Sequence, residues 1–134
     1  MTTPSIVLSP AALEFLAERH LASLTTLRAD GSPHVVPVGF GFDPEEGLVR
    51  IITFAPSVKA RNAARGGRAA VSQVDGGRWI TLEGHTRLVT DRDGVARAEA
   101  AYAARYQQPR ERTDRVAIEI SIDRVLCSAT LKGA

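Results

Sequence analysis

The sequence predicts a mainly β protein, a small six-stranded antiparallel barrel with a few short flanking helices. Three observations predict it. Six segments read as strands, several with period-two alternation. Most are joined by turns of hairpin length, which makes their pairing antiparallel. Helical signals are few, and a barrel removes most of the open edges that six strands would expose.

The elements follow in order. Ser9-Pro10 is a hydroxyl N-cap followed by proline at the first helical position, and Leu13, Leu16, Ala17 and His20 share one face of a helix over 10–20. His20 ends that helix, where a cation suits the dipole. Residues 21–28 form a strand, Asp30-Gly31 a turn, and 34–42 the returning strand, with Val36, Val38, Phe40 and Phe42 on one face. Pro37 cannot donate to a ladder, so this strand has a free edge or a bulge there. After the turn at 43–47, residues 48–54 form a third strand and 57–65 a short helix capped by Ser57 and ended by Gly66-Gly67. Strands over 68–75 and 78–90 flank the Gly76-Gly77 turn. A helix over 91–106 carries Val95, Ala98, Tyr102 and Tyr106 in one stripe, and a polar loop runs over 107–114. Val116, Ile118, Ile120 and Ile122 alternate with polar residues, a last strand with one buried face.

Length and composition set the bounds. The 134 residues fit one domain, 1–134, with enough core to need no disulfide or metal. Hydrophobic residues at 44% and charged residues at 24% exclude wholesale disorder. No apolar run reaches the roughly 18 residues of a membrane span, and the first ten residues lack the pattern of a secretory signal. A lone cysteine, Cys127, fits a reducing cytoplasm. The net charge is only +2, and the 15 arginines are dispersed, so nucleic-acid binding is not expected. An arginine-rich composition makes any single arginine weak evidence for a site.

Motifs narrow the chemistry. His20, His34 and His85 show no metal-ligand spacing, so no metal site is expected, and the two in strands read as ordinary strand residues. GxSxG, GxGxxG and P-loop patterns are absent. The informative stretch is TFAPSVKARN at 53–62, where a strand ends and a helix begins with Ser57, Lys59 and Arg61 close by. Free backbone N–H groups and these side chains suit a phosphate, but from the local sequence alone a capped surface helix with solvated charges is the favoured reading. The second feature is Arg78-Trp79 at the start of a strand, where the only Trp either stacks on a planar ring or packs in a core or interface.

In sequence order, these features sit in the segments LASLTTLRADGSPHVVPVGF, GLVRIITF, SVKARN, VSQVDGGRWITLEGHTRLV and VAIEISIDRVL. Together the segments resemble the split β-barrel flavin and deazaflavin oxidoreductases related to pyridoxamine 5′-phosphate oxidase. The likeness spans nearly the whole chain, and its segments look most like the deazaflavin branch. It implies a homodimer with two sites at the interface and coenzyme F420 as cofactor, with FMN as the alternative. The cofactor phosphate would lie at Ser57, Lys59 and Asn62, and the ring along Val36, Val38, Ile52 and Thr53. Arg78 and Trp79, from the same or the other subunit, would close the site. His34, Val58 and Gln73 complete the implied cofactor-binding set.

The implied activity is hydride transfer from the reduced deazaflavin to a conjugated small molecule, a tetrapyrrole such as biliverdin, in the cytoplasm. No side chain stands out as proton donor, so solvent fills that role. The chain stops at Leu131-Lys132-Gly133-Ala134 without the extension that grips pyridoxal phosphate in the oxidases, which argues against that activity. The other readings are an FMN-dependent oxidoreductase and a non-catalytic barrel that binds flavin, haem or a bilin. Haem would want an axial ligand, which only His34 or His85 lies in a strand to supply.

Overall fold

The computed structural model describes residues 6–132. Residues 1–5 and 133–134, on which the readings of the two chain ends partly rest, lie outside the described residues. The elements run α1 (Pro10–Ala17), β1 (Ala22–Leu27), β2 (Pro33–Val38), β3 (Gly41–Asp43), β4 (Leu48–Phe54), α2 (Val58–Ala64), β5 (Arg68–Asp75), β6 (Arg78–Val89), α3 (Arg92–Arg105), β7 (Arg115–Cys127) and a short 3₁₀ turn, Ala129–Leu131. All strand pairs are antiparallel, in the order β2-β1-β5-β6-β7-β4-β3. Among the described residues no helix is long and apolar enough to cross a membrane.

Among the described residues there are seven strands rather than six, and hydrogen bonds do not close the sheet. The segment expected as one strand over 34–42 breaks at Gly39-Phe40. Phe40 is buried, and side chains of distant residues take its backbone groups. Its N–H donates to the Tyr106 hydroxyl at 3.2 Å, and its carbonyl accepts from Arg105 Nη1 at 2.7 Å. A residue bonded this way is lost to a strand ladder. The two halves, β2 and β3, form the opposite edges of the sheet. Three peptide steps join them, roughly 11 Å at most, so the sheet must roll until its edges approach.

One core fills the rolled sheet. Phe15, Leu24, Phe40, Val49, Ile51, Val71, Ile80, Leu82, Ile118 and Ile120 are all buried in it. Each contributes roughly 1.5–3 kcal/mol of burial. The first helix ends at Ala17, and its buried face is Ala12, Phe15 and Leu16, not the stripe through Leu13, Ala17 and His20. Arg105 Nε donates to the Glu18 carbonyl at 2.8 Å and draws the chain out of the helix, leaving His20 in the connection to β1.

β7 departs from the expected single buried face. Val116 through Ile120 are buried on both faces, because Ala98 of α3 packs with Ala117 and Val89 on the second side. Glu119 is also buried there, and Arg87 reaches it at 2.7 Å. A bulge lies opposite Glu83 and Gly84, where Asp123 is the extra residue of β7. Only glycine fits position 84, since a Cβ would stand 1.9 Å from the Ser121 carbonyl oxygen.

Candidate functional site

β4 and α2 build the centre of the site. Phe54 ends the strand, Ala55-Pro56 turns the chain, and Ser57 caps the helix by accepting from the Ala60 N–H at 3.2 Å. The Ser57 hydroxyl also shares a 3.0 Å hydrogen bond with Thr53, and both residues are buried. Lys59 follows in the first turn of α2, half-buried, with no ion pair among the described residues. Burial alone pulls its pKa below the ordinary lysine value.

A cleft of about 620 Å³ opens beside Lys59. Pro37, Val38 and Gly39 form one wall, and Ile52, Thr53 and Phe54 another. Tyr102 and residues 107–112 close the far side, with Arg115 at the foot of β7. The walls meet because Tyr106 and Arg105 tie the end of α3 to Phe40. Two cations stand near one aromatic ring: the Lys59 ammonium is 5.9 Å from the Phe54 centroid and the Arg112 guanidinium 4.2 Å from it.

Of the residues singled out in the sequence, Val38, Ile52, Thr53 and Lys59 line this cleft, and Ser57 braces Thr53. Val58 opens α2 and is exposed. His34 and Val36 share the inward face of β2 with Val38 but do not line the cleft. Val36 packs on the core. The His34 Nδ1 is buried without a hydrogen-bond partner, and burial first, then the Arg28 and Lys59 charges, disfavours its protonation.

The other four residues are engaged elsewhere. Asn62 is buried, donates to Thr26 Oγ1 at 3.0 Å, and lines a separate cleft of about 140 Å³ with Arg28 and Arg65. Gln73 is in the core, donating to the Phe15 carbonyl at 2.9 Å and accepting from Arg105. Arg78 grips Glu18 at 2.8 and 2.9 Å and Asp75 at 2.8 Å, and its guanidinium lies 4.4 Å from the Phe15 centroid. Trp79 is 38% exposed, with its backbone N–H on Ser128 Oγ. Within one chain neither Arg78 nor Trp79 reaches the cleft.

Sequence reasoning missed Phe54, Tyr102 and the arginines of the 107–115 segment. Tyr102 read as a core stripe, and the loop as a polar connection, although loops on a rigid scaffold often carry function. It also missed the meeting of Glu18, His20 and Asp75, whose ligand atoms lie within 4.8 Å of one another. Arg78 already supplies a cation to both carboxylates of that group.

The family model described as pyridoxamine 5′-phosphate oxidase matches residues 8–127. A curated relative from Mycobacterium tuberculosis, described as F420H(2)-dependent biliverdin reductase, is 56% identical over 131 residues, covering 98% of this chain and 96% of the relative. A solved structure of a conserved hypothetical protein from Mycobacterium tuberculosis superposes with a TM-score of 0.76 at 23% identity, covering 96% of this chain and 89% of that one. Another, described as an F420 reductase, gives 0.69 at 24% identity, covering 84% and 94%. These two structural likenesses bear on the fold alone. With the family model matched over most of its length and a relative more than half identical, the chain belongs to the pyridoxamine 5′-phosphate oxidase family.

Proposed function

We propose that this protein is a coenzyme F420-dependent reductase that transfers a hydride from the reduced deazaflavin to a tetrapyrrole, biliverdin, giving bilirubin. The observation that carries this reading is the 56% identity, over 98% of the chain, to the relative described as F420H(2)-dependent biliverdin reductase. The geometry fits the cofactor. A cleft of about 620 Å³ is the size of a cofactor pocket. It is lined by a cation with no counter-ion among the described residues, Lys59, as a phosphate requires.

In this reading Lys59 holds the phosphate, and the Thr53–Ser57 hydroxyl pair fixes the turn that aims it. Val38 and Ile52 give the planar ring an apolar bed. When bound, the reduced deazaflavin supplies the hydride, which goes to a bridging methine carbon of the substrate. Tyr102 and the 107–112 loop cover the cleft and exclude water from the transfer. The chain's contribution is orientation and electrostatics, and solvent delivers the proton.

The protein acts as a homodimer in this reading. Val35, Leu27, Val74, Trp79 and Leu126 are exposed. They share the outer face of β2, β1, β5, β6 and β7, where Ser23, Thr25, Ser72 and Thr81 separate them with small uncharged residues. A second copy is the natural cover for such a face, and it would carry Trp79 toward a neighbouring cleft. The test is anaerobic mixing of the protein, chemically reduced coenzyme F420 and biliverdin. Conversion to bilirubin with stoichiometric oxidation of the cofactor supports the reading, and no conversion at saturating cofactor contradicts it.

A further inference from the structure

The phosphate reading uses Lys59 and leaves a second cationic group of the same cleft without a task. Arg110 and Arg112 stand on its rim, and Arg115 lies in its wall, against a single lining carboxylate, Glu111. Arg110 is exposed and makes no ion pair among the described residues. Arg112 is held over Phe54 by Asp114, at 2.6 Å from Nε. Arg115 is almost buried, with Nη1 on Glu99 at 3.0 Å and on the Arg110 carbonyl at 2.5 Å. Its Nε is buried and has no partner. An unmade buried donor is unfavourable, and an acceptor arriving with a ligand would relieve it.

We infer that Arg110, Arg112 and Arg115, contributed by the loop after α3 and the start of β7, form a carboxylate-binding subsite of the cleft, distinct from the phosphate contact at Lys59. The inference rests on the functional reading above. The chemistry differs between the two groups. A guanidinium presents a planar fork that matches a carboxylate, whereas a lysine meets phosphate as a point charge. Phe54 neighbours both groups, with the Lys59 ammonium 5.9 Å from its centroid, and holds Arg112 by stacking at 4.2 Å. The ligand is a chain that ends in carboxylates. Two molecules of the proposed reaction carry such groups, the glutamyl tail of the deazaflavin and the propionates of the tetrapyrrole.

Paired ligands distinguish the two sources. The full-length chain, Arg110→Ala, Arg112→Ala and Arg110→Lys are compared for binding of coenzyme F420 with its glutamyl tail and of the same deazaflavin phosphate without glutamates. In parallel, KM is measured for biliverdin and for its dimethyl ester. The inference predicts that each alanine variant loses about tenfold toward the carboxylate member of at least one pair and less than about twofold toward the other member. A split in the first pair assigns the subsite to the cofactor tail, and a split in the second to the propionates. Arg110→Lys falls between wild type and alanine, since it keeps charge and loses the fork. Thermal melting checks that the exposed loop variants remain folded. Equal or absent effects across both pairs, in a wild-type protein that binds and turns over, overturn this inference alone. A wild-type protein that binds no deazaflavin overturns the functional reading and this inference with it.

Discussion

The Arg105 guanidinium donates from Nη2 to the side-chain oxygen of Gln73, joining the end of α3 to the middle of β5 inside the fold. Its other two contacts are carbonyls, of Glu18 at 2.8 Å and Phe40 at 2.7 Å. Among the described residues it has no carboxylate partner, and burial lowers its pKa from the ordinary arginine value. One side chain thus fixes the exit from α1, the break between β2 and β3, and the helix that carries Tyr102 to the cleft. Arg105→Met should cost about 2–4 kcal/mol, because three acceptors, two of them on the buried residues Phe40 and Gln73, lose a charged donor. Arg105→Lys should recover little of this, since one ammonium lacks the fork that spans all three. Urea denaturation measures both, and a methionine variant as stable as wild type would contradict the assignment.

Lys59 has the opposite character. It is drawn partly out of water, gains no ion pair among the described residues, and stands 5.9 Å from the Phe54 ring centroid. Lys59→Ala should therefore leave the melting temperature close to wild type while weakening the cofactor by roughly 10- to 100-fold, the worth of a charge-assisted phosphate contact. Cofactor fluorescence titration beside a melting curve checks this. Equal melting losses with unchanged affinity would remove Lys59 from the phosphate site.

Glu18 makes acid stability legible. Hydrogen bonds from Arg78 and His20 lower its pKa from 4.5 to about 2. A depressed carboxylate stabilises the fold fully above its unfolded value, and this contribution fades as pH falls through 4.5 toward 2. Glu18→Gln should flatten the melting temperature between about pH 5 and pH 2 relative to wild type. Parallel curves for the two proteins over that window would contradict the pairing.

Val35 tests the proposed dimer. It is 58% exposed near the centre of β2's outer face. A charge there costs the monomer little but must be desolvated in a paired interface. Sedimentation should show wild type as a dimer and Val35→Glu as a folded monomer with reduced turnover. A wild-type monomer of full activity would refute the assembly.

Local patterns placed most of the strands. β4 and β5 span the residues that their composition and flanking turns indicate, because each is bounded by turns of its own sequence. The break at Gly39-Phe40 was illegible because its cause, Arg105 and Tyr106, lies 65 and 66 residues away. Gly39 marks the same event, since a Cβ there would meet Tyr102 and Tyr106 at 3.0 Å. The second buried face of β7 depends on where α3 packs, which alternation within the strand cannot encode.

The site divides in the same way. Thr53, Ser57 and Lys59 were legible as a cluster because they adjoin in sequence across one turn. Asn62 and Gln73 are polar residues recruited to core hydrogen bonds with Thr26 and Phe15, a use their identity does not reveal. The arginines of the 107–115 segment were hidden by composition. In a chain with 15 of them, only folding distinguishes those that line a cleft from those that face solvent.

The central claim is a deazaflavin site in this cleft. Its most direct test is titration of the purified chain with oxidised coenzyme F420 and, in parallel, FMN, followed by Trp79 and cofactor fluorescence. The account predicts saturable binding of coenzyme F420 at least about tenfold tighter than FMN, a difference of roughly 1.4 kcal/mol. Preference for FMN, or binding of neither, would contradict it.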